Sequence, residues 1–190
     1  MPFTETENYA EFDFTQLGIK FFEETEYAII ECLGSIEETL NNKRIEKKCG
    51  GVVQKTRVYG DGTGTATITG HLPYDVYCKA FAMNQDGFID GVKAYGQSSV
   101  HPEFSLTCDV TNEDGIHKYK AYPRCKVTAN LTRKIERGAE EVAELELEMD
   151  LYPDENGNCM YEAIEDNLTD DDAKKGWMKS FTPEMIEKSA

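Results

Sequence analysis

Three sets of residues could do chemistry at the spacing in which they occur: alternate glycines, scattered cysteines and histidines, and a ladder of carboxylates. Gly60, Gly62 and Gly64 fall at alternate positions in the stretch GDGTGTATITGHLPYDVY, residues 60–77. A phosphate-gripping loop leads its glycines into a helix N-terminus, whose free amides hold the anion, and a P-loop adds a lysine. Here the glycines open onto Thr65-Ala66-Thr67-Ile68-Thr69, a β-branched run without lysine. The pattern reads as a bend feeding a strand.

Metal and nucleophile chemistry finds no better footing. The six cysteines stand 17, 29, 30, 17 and 34 residues apart, without the C-x-x-C pairs of zinc or thioredoxin-type sites. They read as reduced apolar filler, mostly within strands. His71, His101 and His117 lack an H-x-x-H or H-E-x-x-H context, and no serine occupies a G-x-S-x-G elbow. Residues 84–90, 112–115 and 154–157 look like calcium loops until the required glycine is set at Gly87, Gly115 or Gly157. The first ligand position is then Ala82, Val110 or Tyr152, and the twelfth is Lys93, Ala121 or Ala163, none a carboxylate. The expectation is a non-enzyme with no cofactor and no metal.

The carboxylate ladder is more informative. Glu144, Glu146, Glu148 and Asp150 alternate with Leu145, Leu147, Met149 and Leu151, which predicts a strand over 142–151 with one apolar and one acidic face. At about 3.3 Å per residue it would span roughly 33 Å, long for a globular strand. Its acidic face could be solvated, or paired across the sheet with Lys118, Lys120, Arg124 and Lys126, which share its period. It could also line a passage that a polyanion crosses without sticking.

The elements that must position these residues also follow a period of two. Phe104, Leu106, Cys108 and Val110 alternate with polar residues, predicting a half-buried strand; a turn at 112–115 follows, then a strand in which Tyr119, Ala121, Pro123, Cys125 and Val127 share one face. Pro123 cannot donate to a ladder, so that strand is at an edge or bulged there. Shorter β-rich runs occupy 17–22, 27–32 and 52–59. A helix is expected over 74–83 after Pro73, and another beginning at Thr182-Pro183-Glu184. Residues 40–64 read as a long exposed loop or hairpin.

The 190-residue chain therefore reads as one mainly β domain: an antiparallel sandwich or barrel-like pair of sheets with one or two flanking α-helices. Its net charge of −16 is unevenly placed: −9 over residues 1–42, +5 over 43–57, zero over 58–134 and −12 over 135–190. A DNA-wrapping or DNA-reading role needs a basic face, and this charge distribution argues against it. No signal leader and no membrane span are read in the sequence.

Residues 62–77, then 83–96 (MNQDGFIDGVKAYG), 104–115 and 138–152 together resemble the major tail protein of long-tailed bacteriophages, the subunit of the tail tube. The likeness covers roughly residues 50–165 and lies in the order of strand, helix, Gly-rich turn and hairpin. It implies a structural virion protein that closes into hexameric rings, stacked into a tube through which genomic DNA passes without specific binding. Tape measure and tail terminator proteins would be its other partners, with assembly in the host cytoplasm. It implies that a long loop and terminal arms join the rings, which assigns Lys43, Arg44, Lys47, Lys48, Lys55 and Arg57 to an inter-ring loop over 40–64 and 165–190 to a C-terminal arm. An acidic lumen is also implied, with Glu144, Glu146, Glu148 and Asp150 as its lining. The rival expectation is an acidic β-sandwich binding module that decorates a particle or mimics DNA.

Overall fold

The computed structural model describes residues 9–133, 135, 137–138 and 144–187. The strands are β1 (Asp13–Phe21), β2 (Ala28–Ile30), β3 (Leu33–Cys49), β4 (Val52–Gly70), β5 (Glu103–Thr111), β6 (His117–Val127), β7 (Leu145–Tyr152) and β8 (Tyr161–Ile164). Helix α1 (Tyr74–Ala80) follows β4 and helix α2 (Asp171–Ser180) follows β8. The fold is mainly β, as the alternation requires. All strands join one antiparallel sheet in the order β2-β1-β5-β6-β7-β4-β3, with β8 added beside β6.

One face of this sheet gathers the apolar half of each alternating strand. Leu17 and Ile19 of β1, Phe104 and Leu106 of β5, Leu147 and Met149 of β7 and Ile68 of β4 close around Tyr77 of α1 and Phe81 at its C-terminal end. Each such side chain contributes about 1.5–3 kcal/mol by leaving water. The opposite face is divided. Over β1, β5 and β6 it lies beneath α2, where Trp177 and Phe181 pack with Tyr27 and Ala121. Over β3, β4 and β7 no described helix covers it.

That division corrects the half-buried reading of 104–110. From Phe104 to Thr111 every residue of β5 is buried, because α2 covers its polar side and Tyr27 exchanges a 2.7 Å hydrogen bond with Ser105. The exceptional strand length expected of 142–151 belongs elsewhere: β7 has 8 residues, while β3 and β4 have 17 and 19. Residues 142–143 lie outside the described residues.

Pro123 marks the most consequential irregularity. β6 pairs Cys125 with Phe104 and Tyr122 with Leu106, so β6 carries one extra residue there and bulges. A bulge of one residue flips the side-chain parity beyond it. Tyr122 and Cys125 consequently both face the core, Lys120 goes inward with Tyr122, and Arg124 and Lys126 go outward with the opposite phase. The four bases expected to form one strip are split between two faces.

Helix α1 is shorter than the expected 74–83. It stops at Ala80 because Met83 N–H bonds to Cys78 O at 2.8 Å and Ala82 N–H to Lys79 O at 2.9 Å, a Schellman closure that places Ala82 in the left-handed region at φ 49°. A Cβ is strained there. Ala82→Gly is therefore expected to stabilise the protein by about 1 kcal/mol, which thermal unfolding would register as a rise of roughly 2–4 °C.

The C-terminal region departs further from expectation. The helix expected at Thr182-Pro183-Glu184 is one 3-10 turn, Pro183–Ile186, whereas α2 forms upstream. Asp170 caps α2, accepting from the amides of Asp172 and Ala173 at 2.8 and 3.0 Å. Asp171 and Asp172 complement the positive end of its dipole and Lys179 the negative end. Residues 165–187, expected to act as a terminal arm, thus lie against their own sheet; 188–190 fall outside the described residues.

Candidate functional site: an acidic sheet face and a cationic β-arm

Two surfaces carry the residues singled out by sequence. The first is the uncovered outward face of β3, β4 and β7. Register aligns its side chains in rows: Thr39, Thr65, Asp150 and Lys126; Glu37, Thr67 and Glu148; Ser35, Thr69 and Glu146. Apolar residues of the same strands point to the core, so the outward side is wholly hydroxyl and charge. Glu146 and Glu148 are exposed and Asp150 half-buried. Glu144, just before β7, approaches Gly34 so closely that a Cβ there would stand 2.4 Å from its Oε2.

Across the sheet, one of the four bases falls in register with one carboxylate of the ladder. Lys126 stands opposite Asp150, and Thr128 Oγ1 donates to Asp150 at 3.4 Å. Glu146 and Glu148 instead face Thr69 and Thr67 on β4. With Glu144 they border an open cleft of about 490 Å³ whose other wall is Thr128, Ala129, Asn130 and Thr132. Among the described residues no lysine or arginine lines it.

The second surface is the far part of the β3–β4 hairpin. β4 leaves β7 after Gly64, whose partner is Leu151; beyond that point β3 and β4 pair only with each other, from Asn42↔Gly60 to Cys49↔Val52. Those eight pairs make an arm of roughly 26 Å at 3.3 Å per residue. Gly50 and Gly51, at φ 58° and 84°, close it in the two-residue turn whose twist matches the strands. At its root β4 bulges over Asp61, Gly62 and Thr63 opposite Asn41. Gly62 takes φ 80°, and Asp61 Oδ1 accepts from Thr63 N–H at 3.0 Å and Thr63 Oγ1 at 2.8 Å. The glycines form the bend of a projecting arm, and a carboxylate already occupies their turn.

The arm has two unlike faces. Arg44, Glu46 and Lys48 share one, where Glu46 lies 2.5 Å from Arg44 and 3.6 Å from Lys48; exposed pairs of this kind contribute at most about 1 kcal/mol. Lys43, Lys47, Lys55 and Arg57 share the other with Ile45, Val52 and Tyr59, and no acidic residue falls on it. Arg57 lies over the Tyr59 ring at 5.9 Å. Ile45, Val52, Val53, Val58 and Tyr59 are all exposed.

A partly buried polar cluster gave no signal in the sequence. Lys120, turned inward by the bulge and 5 % exposed, bonds to Glu38 at 2.6 Å and to Glu11 at 2.8 Å. Glu11 also holds Lys118 at 2.6 Å, and Tyr122 donates its hydroxyl to Glu38. Burial alone would raise the Glu11 carboxyl and lower the Lys120 ammonium, but hydrogen bonds from Lys118 and Lys120 to Glu11, and from Lys120 to Glu11 and Glu38, reverse both. Glu11 titrates below its ordinary 4.5 and Lys120 above its ordinary 10.5.

The sign of the pH dependence follows. The Glu11 contribution is complete above pH 4.5 and is lost as pH falls through its depressed folded value; the Lys120 contribution is complete below pH 10.5 and is lost as pH rises through its elevated one. Glu11→Gln is expected to lower the melting temperature throughout that window and progressively less in more acid solution. Melts at stepped pH measure the difference; a gap as large at pH ~3 as at pH ~7 would exclude the ion pair as its source.

Chemistry of other kinds has little to work with. Burial pushes the Cys108 and Cys125 thiols far up, away from nucleophilic range. Residues 112–115 and 154–157 are turns, with Asp154 Oδ1 accepting from the Asn156 and Asn158 amides at 2.9 and 3.0 Å. Among the described residues no group of three His, Cys, Asp or Glu is placed to hold a metal ion, and no helix is long and apolar enough to cross a membrane.

The chain matches no known family model and no curated protein sequence. Solved chains to which its fold is similar include two from one kind of particle. One belongs to the baseplate of an anti-feeding prophage, solved with sixfold symmetrisation, at 10 % identity and a TM-score of 0.46 over 83 % of this chain and 97 % of that one. The other belongs to the tube-terminating cap of the anti-feeding prophage, at 11 % identity and a TM-score of 0.44 over 84 % and 97 %.

Proposed function

We propose that this chain is a structural subunit of a phage or prophage tail tube, closing head to tail into hexameric rings that stack into a hollow tube. The observation that carries the reading is the arm. A two-stranded ribbon is marginal in water by itself, and this one exposes five large apolar side chains and six cations that its own domain leaves uncovered. Such a ribbon suits a subunit completed by its neighbours.

The rest of the surface fits the same role. β2 and β3 end the strand order of the sheet, and terminal strands invite pairing with further chains. A head-to-tail contact closes into a ring when its rotation permits, and a second contact between unlike faces stacks the rings. The cationic arm supplies the stacking contact through Lys43, Arg44, Lys47, Lys48, Lys55 and Arg57.

The acidic face of β3, β4 and β7 then lines the lumen, with Glu144, Glu146, Glu148 and Asp150 repelling DNA so that it passes without sticking. Screening at physiological salt confines that repulsion to about 8 Å, a lining effect. The role needs no cofactor and no catalysis, and its other partners are the tape measure and the tail terminator of the same virion. Electron microscopy of purified protein tests the reading: rings and tubes are the expected result.

A further inference from the structure

A groove on the far side of β6 has the complementary character to the arm. Two adjoining cavities, of about 710 and 250 Å³, share Phe22, Pro123, Pro183 and Glu184. Phe22 is 56 % exposed, although it is a large apolar side chain beside a bulge where Pro123 interrupts the ladder. The rim of the larger cavity adds Glu155 and Glu187, both exposed like Glu184.

The groove's charge is net negative once internal bonds are counted. Arg124 is taken up by Glu103, at 2.9 and 3.1 Å, and by Pro153 O at 3.1 Å. Lys20 points to Phe181 O at 3.4 Å and lies over the Tyr27 ring. Glu155, Glu184 and Glu187 therefore face outward around an apolar floor. Glu184 stays ionised readily, since a hydrogen bond from Thr182 holds its carboxyl below the usual range.

We infer that this groove receives the arm of a second copy of the chain. Ile45 and Tyr59 would cover the exposed Phe22 and half-buried Pro183 above the buried Pro123, while Lys47, Lys55 and Arg57 meet Glu155, Glu184 and Glu187. An apolar stripe flanked by cations meets an apolar stripe flanked by carboxylates, and a wrong docking would set like charges together. The inference rests on the reading that copies of this chain associate, and it names the receiving surface for that contact.

Charge exchange on the full chain tests it, read by sedimentation velocity and light scattering at low salt. Lys47→Glu with Lys55→Glu on the arm, and Glu184→Lys with Glu187→Lys on the groove, are each expected to weaken association by about tenfold or more; combining all four is expected to restore most of it. All four sites are exposed, so circular dichroism should report unchanged folding, and Glu184→Gln with Glu187→Gln gives a second groove variant with a smaller loss. Wild-type association of the groove variants beside weak association of the arm variant would overturn the groove and leave the tube reading standing. A combined variant no better than either parent would also overturn it. A wild-type chain that stays monomeric at every concentration would overturn both readings together.

Discussion

Trp177→Ala is expected to lower stability by about 3–5 kcal/mol, the usual loss when a buried tryptophan is truncated. Trp177 is 1 % exposed, packs against Phe181 at 4.8 Å and Tyr119 at 6.1 Å between ring centroids, and donates its indole N–H to Lys120 O at 3.2 Å. Truncation opens a cavity and leaves the polar side of β5 under-covered, so α2 loses its main attachment. For a chain of this size the melting temperature should fall by roughly 6–20 °C, read by circular dichroism. Trp177→Phe keeps most of the packing and should lose much less. If residues 171–180 were a detached arm in solution, the alanine variant would melt with the wild type.

Replacing residues 41–63 by a two-residue Asn-Gly turn, which joins the paired residues Leu40 and Gly64, is expected to separate folding from assembly. The excised ladder pairs with no strand of the main sheet and contributes little to either core cluster. The shortened monomer should melt within a few degrees of the wild type, since the removed ribbon buries little surface. Self-association should weaken by about 100-fold or more, the consequence of deleting a contact worth roughly 3 kcal/mol. Analytical ultracentrifugation across a concentration series measures it. Unchanged association in the shortened chain would remove the arm from the assembly contact.

The sequence reports burial periodicity well and cross-sheet arrangement poorly. β7 and the inward half of β5 are legible because their alternation is uninterrupted. β6 is legible as a strand, and Pro123 as a bulge or edge, yet the parity flip that the bulge imposes sends Lys120 inward and Lys126 outward, which no strip of alternate bases reveals. The pairing of the acidic ladder depends on that flip and on the register of β7, both long-range properties.

Helix α2 was hidden for a different reason. Its buried residues are Ala173 and Trp177, with Gly176 between them, where a Cβ would meet Met185 at 2.3 Å. That leaves too few apolar positions for a helical period. The signal available was electrostatic: Asp170 at the cap, two acids in the first turn and Lys179 in the last. The arm was legible from charge and from Gly50-Gly51, but not as a continuation of β3 and β4, because both its faces are exposed and carry no alternation. In the candidate site, residue types were readable, and the faces they share were not.

The most direct test of the tube-subunit reading is negative-stain electron microscopy of the purified full chain over a range of salt and protein concentrations, with light scattering alongside. The expected result is sixfold rings that stack into tubes with an open centre as concentration rises. A strictly monomeric or dimeric species under all conditions would contradict it and favour an acidic β-sandwich that binds a basic partner.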